Sequence, residues 1–248
     1  MTSGRPQGLA ADREHWARFA EEWVAWARRP NHDSFWSYRR SLADFIGAGA
    51  GAALDLGCGE GRVARELLAL GYRVTAVDPV RELLDAARQV RSAHHYAVAE
   101  ASRLPFNDGS FDLVVAYNVL MDVEDLAASV GEMRRVVRPT GRIVFSVVHP
   151  FTDRGRFAGS APDAPFVLAG SYFEKKRFSG IEERDGLQMH FSGWSQSLEA
   201  YTRTLTEAGL VIAAIREPTP EIGAGKDYLR RWTRLPLFLW VEARRAGS

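Results

Sequence analysis

Hydrophobic positions recur with a helical period in the first fifty residues. Apolar side chains spaced i, i+3, i+4 and i+7 share one face of a helix, and the residues with this spacing are Trp16, Phe19, Ala20 and Trp23. Asp12 can cap this helix and Pro30 would end it. A second helix is predicted from about Ser34 to Ile46, and a glycine-rich link at 47–52 follows it.

From Ala53 onward the pattern changes to short apolar runs that alternate with helical segments. The predicted strands are 53–56, 72–78, 96–101, 111–118 and 141–148, and the predicted helices between them are 62–71, 79–90 and 126–136. Gly71 and Gly141 stand where helices are expected to stop. Such alternation indicates an α/β fold with a parallel sheet that is covered on both faces.

The alternation stops after His149. Asp185-Gly186 is a hairpin signal between the apolar runs 172–178 and 187–191, so we expect a small antiparallel insert after the fifth strand. A helix at about 197–208, a strand at 210–216 and a last strand after Leu235 then return to the sheet. The predicted organisation is an N-terminal helical cap (1–50), a cofactor-binding core (51–150), an inserted hairpin or lid (151–196) and a C-terminal segment that completes the sheet (197–248).

The charge of the chain is nearly balanced, with 32 Lys and Arg residues against 31 Asp and Glu residues and a formal net charge of +1. No strong field would draw the protein to phosphate backbones or anionic lipids, so we expect neither nucleic acid nor a membrane as a partner. Cys58 is the single cysteine, and no apolar segment follows the charged N-terminal residues. We therefore expect a cytoplasmic protein, whose oligomeric state the composition does not indicate.

Three glycines, Gly57, Gly59 and Gly61, alternate where the first strand of the α/β pattern ends and a helix begins. Glycine permits a tight turn and a close approach of the backbone to a ligand, and a helix N-terminus offers N–H groups to a carboxylate or phosphate. Asp78 ends the next strand, 17 residues after Gly61, where a carboxylate can accept hydrogen bonds from both ribose hydroxyls. Together these features predict a site for an adenosine-containing cofactor.

Residues 53–150 resemble the class I S-adenosylmethionine-dependent methyltransferases, in their small-molecule, methyltransferase-domain 11-like branch. Four motifs carry the resemblance in the family's order: LDLGCGEG (54–61), AVDP (76–79), AEASRLPFNDGSFDLVV (99–115) and RVVRPTGRIVFSVVHP (135–150). The resemblance implies a Rossmann-like fold with a doubly wound, mostly parallel, seven-stranded sheet. It also implies S-adenosyl-L-methionine as the cofactor and S-adenosyl-L-homocysteine as its product.

The resemblance further implies roles for individual residues. The backbone from Gly57 to Gly61 would face the methionine moiety, Asp78 would hold the ribose and Val80 would pack near the adenine. Glu100 and Ala101 would line the adenine edge, with glutamate where the family commonly has aspartate. The complete set of cofactor-binding residues expected on this basis is Asp55, Gly57, Cys58, Gly59, Gly61, Asp78, Pro79, Val80, Glu100, Ala101 and Asn118.

Substrate contacts are expected from two places. By the resemblance, Asn118 follows the fourth strand beside the sulfonium, and Met121 stands where many relatives carry histidine, which argues against a catalytic role there. Residues 32–39 combine polar and aromatic side chains, and an aromatic face near a sulfonium is favourable. The predicted substrate-binding residues are therefore Phe35, Trp36, Tyr38 and Met121.

The first candidate for a catalytic base is His149, which follows the fifth strand at the sheet edge where α/β proteins bind ligands. An equally good interpretation is that it holds the turn before Pro150. Tyr172, His15 and His190 are further candidates, because a histidine or tyrosine is the usual base for such a transfer. For His15 and His190, the favoured interpretation is a surface or core histidine whose hydrogen bonds are satisfied within the protein.

The main rival cofactor is a nicotinamide dinucleotide. Binding of this cofactor would require G-x-G-x-x-G, and the spacing of the glycine turn differs from that motif by one position. Tyr172 and Lys176 match the Tyr-x-x-x-Lys spacing of short-chain dehydrogenases. They fall in a predicted hairpin, however, and not on the shared helical face that this chemistry needs. Cys58 has no histidine nearby in sequence to activate it, and we expect it to fill a small space. No Cys or His spacing indicates a metal site.

The function that we expect is transfer of a methyl group from S-adenosylmethionine to an oxygen or electron-rich carbon of a small, largely apolar molecule, by in-line displacement. The (Asn/Asp)-Pro-Pro-aromatic signature of resembling amino-methylating enzymes is missing after the fourth strand, where the chain reads Tyr117-Asn118-Val119-Leu120. The alternatives are an NAD(P)-dependent oxidoreductase and a non-catalytic S-adenosylmethionine-binding protein.

Overall fold

The computed structural model describes residues 7–223 and 226–247, with side chains from residue 12 onward. Residues 1–6 of the predicted cap and residue 248 of the predicted C-terminal segment lie outside the described residues. The helices within this range are α1 (Gln7–Arg18), α2 (Ala20–Arg28), α3 (Phe35–Ile46), α4 (Arg62–Ala69), α5 (Arg81–Gln89), α6 (Leu126–Val136) and α7 (Leu198–Glu207). Short 3-10 helices occupy Thr152–Arg154 and Asp227–Thr233.

The strands of the central sheet are β1 (Ala52–Leu56), β2 (Arg73–Asp78), β3 (His95–Val98), β4 (Phe111–Tyr117), β5 (Val137–Val148), β10 (Leu210–Arg216) and β11 (Phe238–Arg245). Their order in the sheet is β10-β11-β5-β4-β1-β2-β3. The pairs β4–β5, β1–β4, β1–β2 and β2–β3 are parallel, and β11 is antiparallel to both of its neighbours. The sheet therefore confirms the predicted doubly wound, mostly parallel, seven-stranded architecture.

Alternate residues of each strand enter opposite sides of the sheet, as the period of an extended chain requires. Leu54 and Phe145 pack on the side of α6 and α7, where Met133 and Tyr201 belong to the same cluster. On the other side, the strand residues meet α3, α4 and α5, through the cluster members Tyr38, Leu42, Val63, Leu67, Leu84 and Trp240. Both faces are covered, which explains why the central strands are near-continuous apolar runs.

The N-terminal segment forms two helices where the sequence predicted one. The helix breaks at Phe19, and Asp12 lies within α1 instead of capping it. The shared face is nevertheless present: the rings of Trp16 and Trp23 are 5.6 Å apart, and both pack against a small cluster formed by Ala20, Val80 and Leu83. The cap is thus attached to the core next to the end of β2.

The segment after β5 forms two small antiparallel sheets. One pairs β6 (Gly155–Phe157) with β7 (Phe166–Leu168), and the other pairs β8 (Lys176–Arg184) with β9 (Leu187–Ser195). Asp185 and Gly186 form the two-residue turn between β8 and β9, both with positive φ, at 50° and 74°, so the hairpin prediction is confirmed.

Gly141 lies within β5 and does not end a helix, because α6 already stops at Val136. A Cβ on Gly141 would lie 2.8 Å from the carbonyl oxygen of Asp112, so glycine is needed there for the close approach of β5 to β4. No helix in the described ranges is long and apolar enough to cross a membrane.

Candidate active site

A cavity of about 590 Å³ opens at the carboxyl ends of β1, β2 and β4. This is the edge at which open α/β sheets bind ligands. Its walls include the glycine turn, the segments that follow β2, β3 and β4, the N-terminal helices, the hairpin β8–β9, and the 3-10 helix at Asp227–Thr233. Its size suits a nucleotide-sized ligand together with a small second molecule.

The carboxylate of Asp78 helps to fix the glycine turn to the end of β2. The N–H of Gly59 donates to Oδ2 of Asp78 at 2.8 Å, and the N–H of Val80 donates to Oδ1 at 2.9 Å. Gly57 and Gly59 have positive φ, at 65° and 55°, a conformation that favours glycine. Burial raises the pKa of Asp78 to about 6. Each carboxylate oxygen keeps a free lone pair, and Asp78 lines the cavity beside the turn.

Asp55 is a second carboxyl at this wall, and it is 1% exposed. Its Oδ2 has no hydrogen-bond partner among the described residues, and burial raises the pKa of Asp55 to about 8. A buried oxygen without a partner is costly unless a ligand supplies a donor. A cationic ammonium group placed against Asp55 would satisfy it and favour its ionised form.

Cys58 is buried in the glycine turn, where its N–H donates to the carbonyl oxygen of Val77. Burial raises the pKa of its thiol, so the nucleophilic thiolate is disfavoured. This agrees with the interpretation that Cys58 fills a small space.

Gly61 differs from the other two glycines, because it is not part of the cavity wall. Its φ is +89°, and a Cβ there would collide with the hydroxyl of Ser92 and lie 3.1 Å from the Cβ of Ala87. The expected cofactor contact is therefore replaced by a packing role, in which Gly61 lets α4 begin close to the end of α5.

The adenine end of the predicted site lies beyond Asp78. Pro79, Val80, Glu100 and Ala101 all line the cavity. The carboxylate of Glu100 is 3.7 Å from the guanidinium of Arg13, and its side chain is 36% exposed. Burial raises the pKa of Glu100. The Glu100 side chain lies between the cavity and helix α1.

The loop after β4 forms the wall opposite Asp78. Asn118 has a positive φ of 57°, and its Oδ1 accepts a hydrogen bond of 2.7 Å from the hydroxyl of Ser146 on the neighbouring strand. Asn118, Met121 and Asp122 all line the cavity. Asp122 was not identified from the sequence, although it directly follows Met121, a predicted substrate-binding residue.

The roof of the cavity is aromatic and comes from the N-terminal helices and the inserted hairpin, but it does not include the predicted substrate-binding residues of α3. Trp16, Trp23 and Trp26 of the N-terminal helices line the cavity, as do Phe178 and Phe191 of the hairpin. The expected residues Phe35, Trp36 and Tyr38 do not. Phe35 and Tyr38 are buried in the core between α3 and the sheet, and the ring of Tyr38 lies 5.0 Å from that of Phe238. Trp36 packs against the same core.

His149 does not line the cavity. Its Nδ1 accepts a hydrogen bond of 3.2 Å from the N–H of Phe151, and its Nε2 lies 2.9 Å from a carboxylate oxygen of Glu217. Both ring nitrogens are therefore occupied, and burial lowers the pKa of the imidazole. This geometry matches the turn-holding interpretation and not the expected catalytic base.

The other three candidate bases are also away from the cavity wall. Nε2 of His15 donates to the carbonyl oxygen of His190 at 3.0 Å, and Nδ1 of His190 lies 2.9 Å from a carboxylate oxygen of Glu22. These side chains join the N-terminal helices to β9. The hydroxyl of Tyr172 accepts a hydrogen bond of 2.9 Å from the N–H of Leu198, the first residue of α7.

The rival dehydrogenase spacing has no structural support. Lys176 begins strand β8, and Tyr172 precedes that strand, so the two side chains do not share a helical face. Within the described ranges, no cluster of three or more His, Cys, Asp or Glu side chains is arranged to hold a metal ion.

Comparisons with known proteins place this site in a family. A family model described as a methyltransferase domain matches residues 54–145. The chain is 34% identical over 206 residues to a demethylmenaquinone methyltransferase from Mycobacterium sp. strain KMS, which covers 75% of this chain and 84% of that protein. The chain belongs to the class I S-adenosylmethionine-dependent methyltransferases. This confirms the resemblance that the four motifs carry.

Other members of the methyltransferase family match over shorter stretches. A malonyl-[acyl-carrier protein] O-methyltransferase from Serratia marcescens is 40% identical over 95 residues, which is 38% of this chain and 37% of that protein. The chain spans less than half the length of this relative and of three others with the same name. The fold matches the crystal structure of an S-adenosylmethionine-dependent methyltransferase from Mesorhizobium loti with a TM-score of 0.66, at 24% identity, covering 86% of this chain and 98% of that one.

The residues of the cavity fit the methyl donor of this methyltransferase family. The unpaired oxygen of Asp55 is suited to an ammonium group and the carboxylate of Asp78 to a pair of hydroxyls. The apolar wall at Val80 and Leu83 is suited to a flat ring. S-adenosylmethionine carries all three kinds of group.

Proposed function

We propose that the protein transfers a methyl group from S-adenosylmethionine to an oxygen or electron-rich carbon of a small, largely apolar molecule. The observation that carries this proposal is the shared cavity. The glycine turn, Asp78 and the loop at Asn118 all face the same space, and an aromatic roof covers it. S-adenosylmethionine supplies an electrophilic methyl group on a sulfonium.

In this proposal the cofactor residues are those of the cavity wall. Asp78 accepts hydrogen bonds from the ribose hydroxyls, and Asp55 binds the ammonium group of the methionine moiety. The backbone of Gly57, Cys58 and Gly59 contacts the methionine chain of the cofactor. The adenine lies among Pro79, Val80, Glu100 and Ala101, and the loop at Asn118 borders the sulfonium.

The N-terminal helices and the hairpin are proposed to exclude water and to hold the acceptor. Trp16, Trp23 and Trp26 come from one side, and Phe178 and Phe191 from the other. The rings of Trp23 and Phe191 are 6.3 Å apart, so the two sides meet above the cavity. Aromatic faces attract a sulfonium and bury a flat apolar acceptor. Such a covered site favours a small molecule over a macromolecule, and Met121 is placed to contact that acceptor.

The chemistry that these residues perform is mainly positioning. Displacement at a methyl carbon needs the nucleophile in line with the leaving sulfur and about 3 Å from the carbon. The histidine ring nitrogens and the tyrosine hydroxyl named above as candidate bases bond to protein groups outside the cavity. We therefore assign no proton transfer to His149, Tyr172, His15 or His190. The names of the relatives include an O-methyltransferase and a demethylmenaquinone methyltransferase, of which only the first names the acceptor atom.

The test is transfer of an isotopically labelled methyl group from S-adenosylmethionine into a metabolite extract, followed by mass spectrometry of the labelled products. We expect one or a few labelled small molecules, and loss of the label when the glycine turn is disrupted by Gly57→Val. Labelled protein or nucleic acid would contradict the small-molecule proposal. Binding of S-adenosylmethionine without any labelled product would favour a non-catalytic binding protein.

A further inference from the structure

One carboxyl of the cavity has no partner in the described part of the chain. Asp122 lies in the loop after β4, where its N–H donates to the carbonyl oxygen of Val119 at 2.8 Å. Its side chain lines the cavity, and none of the described side chains forms a hydrogen bond or ion pair with it. The side chain is half-buried, so a donor from solvent or from a ligand can reach the carboxylate.

The position of Asp122 is set from two sides. A Cβ on Gly57 would collide with the side chain of Val119, so the loop lies directly against the glycine turn. A Cβ on Gly193 of β9 would lie 2.8 Å from Oδ1 of Asp122 and 2.9 Å from the carbonyl oxygen of Met121. The hairpin thus covers Asp122 closely because residue 193 is glycine. Asp122 lies between the cofactor wall and the roof.

The charged groups around Asp122 are mostly negative. Burial and the charges of Asp12 on α1 and Asp78 on β2 raise its pKa well above the ordinary range. Asp12 itself forms an ion pair with Arg177 of β8, whose guanidinium lies 2.5 Å from its carboxylate. Tyr201 of α7 faces the same region, and its own pKa is raised by burial and by nearby carboxylates. The protonated form of Asp122 is therefore favoured in the free protein, and a cation beside it would favour the ionised form that can accept a proton.

We propose that Asp122 is the catalytic base that receives the proton of the methyl acceptor. This inference rests on the proposed function. As the acceptor's X–H bond breaks, its proton passes to the Asp122 carboxylate and its electron pair forms the X–CH₃ bond. The S–CH₃ bond breaks with its electron pair remaining on sulfur, so the sulfonium becomes a neutral thioether and the carboxylate a neutral acid.

The same geometry selects a class of acceptor. A neutral molecule with an acidic O–H, or with a carbon activated by a neighbouring hydroxyl, has a proton for Asp122 to remove. A carboxylate acceptor has none at neutral pH, and it would add a negative charge beside Asp78 and Asp122. The structure therefore favours a phenol-like or enol-like acceptor over the formation of a carboxylate ester.

The test compares two ligands that differ in charge at the sulfur. Calorimetric titration near pH 7, in two buffers with different ionisation enthalpies, measures the protons released on binding. The cation of S-adenosylmethionine favours ionisation of a carboxyl beside it, whereas S-adenosylhomocysteine is neutral at that atom. Both ligands carry an ammonium group, so the protons that Asp55 releases on binding are common to both and cancel in the difference. We expect S-adenosylmethionine to release up to about one proton more than S-adenosylhomocysteine.

Asp122→Asn should abolish this difference and leave the affinity for S-adenosylhomocysteine within about twofold. Asp153→Asn is the matched control: it also removes a cavity carboxyl whose pKa is raised by burial, but one that already pairs with Ser195. The difference should persist in Asp153→Asn and in Asp122→Glu, and the Glu variant serves as the reference if the Asn variant unfolds. In the labelled-extract assay, Asp122→Asn should lower methyl transfer by about 10² to 10⁴-fold.

The outcomes separate this inference from the proposed function. If neither ligand binds the wild-type protein, the proposed function itself fails. If both ligands bind but release equal numbers of protons, or if Asp122→Asn retains the difference, Asp122 does not face the sulfur. The base assignment is then overturned, while methyl transfer remains.

Discussion

At the residue scale, Asp78 performs two tasks with one carboxylate. It accepts the N–H groups of Gly59 and Val80, which fixes the glycine turn to β2, and its remaining lone pairs face the cavity. A ligand that donates two hydroxyl hydrogen bonds meets an acceptor that the fold has already oriented, so little ordering is needed on binding.

The titration of Asp78 gives a prediction about pH. Its pKa is raised to about 6 by burial, so the carboxyl loses its charge as the pH falls through 6 and becomes a poorer acceptor for hydroxyls. Adenosine is the right probe, because it has the ribose but lacks the ammonium that Asp55 would bind. We expect adenosine affinity, measured by calorimetry from pH 5 to 8, to be highest above pH 6 and to decline below it.

Asp78→Asn provides the control for this profile, since it keeps one oxygen and removes the ionisation. Its adenosine affinity should be weaker and nearly independent of pH over the same range. A wild-type affinity that does not change between pH 5 and 8 would argue against ribose binding by Asp78.

Individual residues also show what sequence reasoning missed. The period of an amphipathic helix identifies an apolar face but does not say whether that face meets a packed core or a cavity. Phe35 and Tyr38 face the core of the sheet, whereas Trp16 and Trp23 face the cavity. This choice depends on how the N-terminal helices dock, which is a tertiary contact that leaves no local signal.

At the element scale, the glycine turn and the start of α4 are held by packing as well as by hydrogen bonds. Gly61 combines a φ of +89° with no room for a Cβ beside Ser92 and Ala87. This residue positions α4 against α5 and so supports the turn without touching the cavity.

Gly61→Ala should therefore destabilise the fold, because it adds backbone strain and a steric clash, each worth about 1 to 3 kcal/mol. Gly131→Ala is the matched control: Gly131 lies in α6, and no described atom other than its chain neighbours and the backbone of its own helix lies within 4 Å of an added Cβ. Alanine there should stabilise the protein by about 0.5 to 1 kcal/mol. Chemical denaturation measures both values, and equal stabilities for the two variants would refute the packing role of Gly61.

Most elements were predictable because local signals fixed them. The α/β alternation, the Asp185-Gly186 hairpin and the helix after Ser197 all have turn or capping chemistry in the sequence, and the structure confirms each. The role of His149 was not predictable in this way. Its position after β5 is correct, but its partner Glu217 comes from a distant loop, and only the folded chain shows that both ring nitrogens are occupied.

At the scale of the whole molecule, the cavity joins parts that are far apart in the sequence. Trp194 of β9 donates its indole N–H to Asp12 of α1 at 3.2 Å, and the guanidinium of Arg184 lies 3.9 Å from the ring centre of Tyr228. The hairpin is thus attached both to the N-terminal helices and to the C-terminal 3-10 helix. These contacts close the roof over the cofactor wall, and this closure supports a small-molecule acceptor.

The central claim is that this cavity is built for S-adenosylmethionine, and a calorimetric titration tests it most directly. Wild-type protein should bind S-adenosylmethionine and S-adenosylhomocysteine at one site per chain and should not bind NAD. Asp78→Ala should weaken both interactions by about 1.5 to 3 kcal/mol, which is roughly 10- to 150-fold in affinity. Preferential binding of NAD, or an affinity for S-adenosylmethionine that Asp78→Ala leaves unchanged, would contradict the account.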